Sequence, residues 1–135
     1  MKGILTDMDI EGQVRVLLTI LMSDSWRDFW ILVDLPFRTF MDVGLSRDVP
    51  DAVVWHLCQQ EQLTLITANR NATGPDSLEA TLQMYNQPEH LPVFTIANPK
   101  RVLQSREYAE RVTAKLLEYL LDIDYYRGAG RLYLP

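Results

Sequence analysis

Asp7 and Asp9 follow a short apolar run, Asp51 stands directly after Pro50 at the head of a second, and Asn69 and Asn71 follow a third. Asp76 and Glu79 come shortly after the asparagines. All of these side chains offer oxygen. Carboxylates brought to one place repel: at about 4 Å and an effective dielectric near 20, each pair costs on the order of 4 kcal/mol. Either one carboxyl keeps its proton, or a divalent cation binds. Oxygen-only ligands suit Mg²⁺ or Mn²⁺. A cation so held can generate a nucleophile and stabilise a phosphoryl oxygen, which is hydrolytic metal chemistry.

The same residues also have purely structural uses. Asp51 and Asp76 stand where helix-capping residues stand, accepting backbone N–H bonds and complementing the dipole. Asp7 and Asp9 can simply open the first helix. Asn69 and Asn71 tolerate turn geometries. Other nucleophile and metal patterns are missing. His56 and His90 lack metal-ligand spacing, Cys58 lies among apolar neighbours as a structural thiol, and no Gly-x-Ser-x-Gly elbow surrounds Ser46 or Ser77. Gly128-Ala-Gly-Arg131 has no strand before it, so it is not a phosphate-cradling loop.

The elements that must position these residues can be read from periodicity. Gly3–Thr6 reads as a strand ending at Asp7. From Glu11, the spacing of Val14, Leu17, Leu18, Leu21 and Met22 predicts an amphipathic helix. In the segment 23–36, Trp26, Phe29, Trp30 and Val33 predict a helix that packs its tryptophans against the sheet and stops at Pro36. Arg38–Val43 alternates like a strand. Residues 44–50 form a loop, Asp51–Gln60 a helix and Leu63–Ile66 a buried strand. Asp76 or Ser77 caps a helix that ends at Tyr85, and residues 92–96 form a further strand. Asn98-Pro99 starts a turn or a short helical turn. Arg106–Asp122 is the longest helix, with Ala109, Val112, Leu116, Leu117, Leu120 and Leu121 as its apolar stripe. Arg131–Leu134 forms a terminal strand or an edge hairpin.

Strands alternating with helices predict an α/β fold: a three-layer α/β/α domain with a mainly parallel central sheet and right-handed crossovers. At least four strands are expected, with Gly3–Thr6 and Leu63–Ile66 central and close together. Ligands in such sheets bind beyond the carboxyl ends of the strands.

With 135 residues and 47% hydrophobic content, the chain suits one domain, 1–135, with a real core. A net charge of −5 argues against a general nucleic-acid or membrane-surface binder, though not against a local basic patch. The single cysteine forbids an internal disulfide and fits a cytoplasmic location. No signal peptide is expected at the acidic N-terminus, and the longest apolar run, Val16–Met22, is too short to span a bilayer.

The order of these parts resembles the small PIN-like domains of bacterial toxins. Carrying the resemblance are the strand running into Asp7-Met-Asp9, Asp51 heading a helix, Leu63-Thr-Leu-Ile-Thr-Ala-Asn-Arg-Asn71, and the closing Gly128-Ala-Gly-Arg-Leu-Tyr-Leu-Pro135. It spans most of the chain except the Trp-containing segment 23–36. Asp7 matches the family's first metal-binding aspartate and Asp51 its second acid. Asp9 falls where the family often has Asn, and Asn69 and Asn71 fall where it has two further acids.

The resemblance implies a metal-dependent ribonuclease and a toxin-antitoxin component with an antitoxin-like protein partner. Asp7, Asp9, Asp51 and Asp76 would hold Mg²⁺ or Mn²⁺. Asp7, Asp51, Asn69 and Asp76 would form the catalytic set, with Asn69 orienting water or phosphate. Arg47, Arg70 and Asn71 would meet RNA. The two asparagines remove two negative charges from the family pattern. That leaves a second reading open, a catalytically inactive PIN-like scaffold that binds RNA or a protein partner. Oligomerisation is open on either reading.

Overall fold

The computed structural model describes residues 1–135. Its strands are β1 (Gly3–Thr6), β2 (Phe37–Arg38), β3 (Leu63–Thr67), β4 (Val93–Ile96) and β5 (Arg131–Leu134). Its helices are α1 (Glu11–Leu21), α2 (Arg27–Val33), α3 (Asp51–Glu61), α4 (Leu78–Tyr85), α5 (Pro99–Gln104) and α6 (Arg106–Leu121). All four strand pairings are parallel, in the order β2-β1-β3-β4-β5. β1 and β3 lie side by side near the centre, with Gly3 opposite Leu63 and Thr6 opposite Ile66.

Alternation along the strands divides the core into two faces. Ile4, Ile66, Phe94 and Ile96 pack with residues of α1, α2, α5 and α6 on one face. Leu5, Leu65 and Val93 pack with Val54, Trp55 and Cys58 of α3 and Leu78 and Leu82 of α4 on the other. The result is three layers, with both faces of the parallel sheet covered. No helix is long and apolar enough to cross a membrane.

Three expectations are corrected. Arg38–Val43 is not a strand: β2 stops at Arg38, and Met41–Val43 is a 3-10 turn. Thr39 and Asp42 cause the break. The Thr39 amide donates to Asp42 Oδ2, and the Asp42 amide donates to Thr39 Oγ1, which offers the backbone an alternative to the ladder. Of the two forms open to Arg131–Leu134, the terminal strand is the one observed, parallel to β4 at the sheet edge. Leu121 leaves the α6 stripe and is 51% exposed.

The crossovers also do not share one hand. The β1-to-β2 connection runs over the α1 face. The β4-to-β5 connection runs over the same face but in the opposite direction across the sheet, so the two have opposite hands. If the first three are right-handed, as such connections nearly always are, the last is left-handed.

Trp30 is buried and packs on Phe37 of β2 with ring centroids 5.6 Å apart. Trp26 is only partly buried at the margin of the same core.

Candidate functional site

After β1 the chain passes to the α1 face, and after β3 it passes to the α4 face. The adjacent strands β1 and β3 therefore release their loops to opposite sides. Such a divergence opens a crevice at the carboxyl ends of the strands, the usual ligand position in an open α/β sheet. A pocket of about 140 Å³ lies there, lined by Asp7, Asp9, Arg47, Asp51, Thr67 and Asn69, with Phe40, Val49, Val54, Leu65 and Leu78 as its apolar wall.

Asp7 is the first residue beyond β1, and its amide still donates to Ile66 O. Its side chain accepts a 2.6 Å hydrogen bond from Thr67 Oγ1 at the end of β3. Thr67 Oγ1 in turn accepts from the Asn69 amide, so its single proton is committed to Asp7. Burial holds the Asp7 carboxyl above its ordinary range. The Thr67 hydroxyl and the Met8 amide draw it down, and the Asp9 and Asp51 carboxylates push it further up.

Asp51 is the first residue of α3, but it does not cap that helix. Its Oδ2 instead accepts from Asn69 Nδ2 at 2.9 Å and from the Leu78 amide at 3.2 Å. Leu78 opens α4, so Asp51 satisfies an unpaired amide of a different helix. The orientation of the Asn69 amide is fixed by its partners. Its Oδ1 accepts from the Asn71 amide at 2.8 Å, so the atom facing Asp51 is the nitrogen.

The expected site residues separate into two groups. Asp7, Asp9, Asp51, Asn69 and Arg47 line one pocket. Asp9 and Arg47 are exposed at its rim and form a 3.7 Å ion pair. Asp76 stands apart: it is exposed in the loop before α4 and lines no part of the pocket, and Ser77 caps α4 by accepting from the Ala80 amide. Arg70 and Asn71 are also exposed outside the lining, Arg70 reaching Ala97 O at 3.4 Å. No three His, Cys, Asp or Glu side chains form a cluster able to hold a metal ion.

Thr67 and Arg131 are the residues the sequence reading missed. Arg131 places Nη1 2.8 Å from Asn69 O and 2.6 Å from Thr95 Oγ1, and Nη2 3.1 Å from Glu79 Oε2. One signal pointed to it: a charged residue at the head of the otherwise apolar strand Arg-Leu-Tyr-Leu.

No protein-family model matches the chain, and no curated protein or solved structure matches it.

Proposed function

We propose that the cleft between β1 and β3 is the site of a divalent-cation-dependent phosphodiesterase that acts on RNA, in keeping with the PIN-like sequence pattern. The supporting observation is the pairing of Asp7 and Asp51 in one small polar pocket, with Asp7 held above its ordinary range partly by its acidic neighbours. A nearby cation would relieve that cost.

With no larger acidic cluster, a cation here would rest on the two carboxylates Asp7 and Asp51, which is compatible with Mg²⁺ or Mn²⁺ held mainly through water and phosphate. Both hydrogen bonds to Asp51 fall on Oδ2, which leaves Oδ1 available. Mg²⁺ commonly takes one or two carboxylates and completes its shell with water and substrate phosphate. Asp7 and Asp51 would be the ligands, with Asp9 at the rim. The bound ion would supply an activated water and neutralise charge on the phosphoryl group. Thr67 holds Asp7 and directs its lone pairs. Asn69 holds Asp51. Arg47 at the rim, and Arg70 outside it, would be the cations to meet phosphate.

One observation favours the alternative of an inactive scaffold that binds RNA or a protein. The Asn69 amide donates to Asp51 where the family pattern has an acid, so the cleft has its own neutral partner for Asp51. Calorimetry with Mn²⁺ and incubation with single-stranded RNA separate the two readings. The enzyme reading expects binding and cleavage, both lost in Asp7→Asn. RNA retained intact with no heat of Mn²⁺ binding sinks it in favour of the scaffold.

A further inference from the structure

We propose that Arg131 is a positioning residue for the cleft. It fixes the Asn69 peptide so that the Asn69 amide meets Asp51. As a role in chemistry this rests on the metal-site reading above, but its structural half does not.

The Arg131 side chain is only 9% exposed, and a guanidinium so buried is costly unless paired and hydrogen-bonded. Its partners come from three different places. Thr95 belongs to β4, Glu79 to α4 and Asn69 to the loop after β3. Arg131 thus reaches from the edge strand β5 across β4 and ties the loop after β3 to α4. The turn before it is closely packed. Gly128 has φ +86°, and a Cβ there would lie 2.9 Å from Pro88 Cα, so the entry into β5 leaves no room for a side chain.

From Arg131 the contacts run without a gap into the cleft. Arg131 holds Asn69 O. The Asn69 amide N–H donates to Thr67 Oγ1, which donates to Asp7. Asn69 Nδ2 donates to Asp51. A displacement of the Asn69 peptide therefore reaches both aspartates through one residue. Glu79 closes the far side of the loop, with its backbone amide donating to Asn71 O at 3.3 Å. Only a planar fork serves acceptors in these directions; lysine keeps the charge but not the geometry.

The test follows the Asn69 side-chain amide by NMR in ¹⁵N-labelled protein. Arg131→Lys is compared with Leu120→Ala, a core truncation in α6 outside this network, at matched loss of Tm. Arg131→Lys should shift the Asn69 Nδ2 resonance toward that of a free amide and speed its solvent exchange at least about tenfold, while Leu120→Ala leaves it in place. Mn²⁺ binding measured by calorimetry on the same samples should weaken about 10- to 100-fold in Arg131→Lys, the usual effect of losing a group that orients a ligand.

Thr95→Val removes one acceptor and keeps the guanidinium. It should give a smaller shift of the same sign, and it carries the test if Arg131→Lys does not fold. An Asn69 resonance unmoved in the folded variants, or moved equally by Leu120→Ala, overturns the proposal. If wild-type protein binds no Mn²⁺ but the Asn69 shift is seen, the metal reading of the cleft falls and the positioning role stands.

Discussion

Asp7 holds its proton more tightly in the folded protein than in the unfolded chain, chiefly through burial. Its contribution to stability is therefore fully present below the unfolded value of 3.8 and is lost as pH rises through the raised folded value. Asp7→Asn should stabilise metal-free protein relative to wild type near pH 7, with the gain disappearing near about pH 3. Urea denaturation at the two pH values checks this; an equal difference at both would remove the raised carboxyl. Asp51→Ala should cost about 0.5–2 kcal/mol in the absence of metal, the range for a lost helix cap, because the Leu78 amide loses its acceptor. The same denaturation curves decide it. Cys58 is buried, and its thiol is pushed up to about 12 by desolvation. A thiol reagent at about pH 8 should therefore label it only as fast as the protein opens, and labelling much faster than unfolding would contradict that burial. At this scale the sequence was enough to expect Asp7, Asp51 and Asn69 around one cleft, which they line, because each stands next to a recognisable element end. It could not reveal what Asp51 caps. Its partner is 27 residues away, and a carboxylate at the start of one helix gives no sign that it serves another.

The helices and the central strands were legible because their apolar patterns are strong. β1, for instance, matches its predicted bounds, and every residue of it is buried. The failures lie where local chemistry competes with pattern. The Thr39–Asp42 exchange ended β2 early, and the hand of the last crossover follows from α6 lying on the same sheet face as α1, a placement no local pattern signals. α6 shows a third kind of limit. Each step of four residues drifts about 40° around a helix with 3.6 residues per turn. Along Thr113, Leu117 and Leu121 that drift carries the side chain from the core to the surface. Leu120→Ala should cost roughly 2–5 kcal/mol as a core truncation, whereas Leu121→Ala should stay within about 0.5 kcal/mol. Chemical denaturation of the pair tests the assignment, and similar losses at both positions would place Leu121 in the core.

The whole molecule carries a net charge of −5, and its candidate cleft is itself acidic. RNA would approach against the overall field, helped by few cations. If Arg47 and Arg70 are the two phosphate contacts, the dependence of log K on log salt for single-stranded RNA should be no steeper than about −1.4, since each contact contributes roughly −0.7. Titrations across ionic strength measure it, and a markedly steeper slope would mean a basic surface elsewhere. At the end of the loop from Ala68 to Ser77, the Leu78 N–H donates to Asp51 Oδ2 and ties the start of α4 directly to the cleft. An amide whose acceptor is a carboxylate of the candidate cleft is a built-in reporter. Its hydrogen-exchange rate tracks how tightly Asp51 is held, so deuterium uptake at this single position distinguishes an occupied cleft from a vacant one without any substrate being turned over.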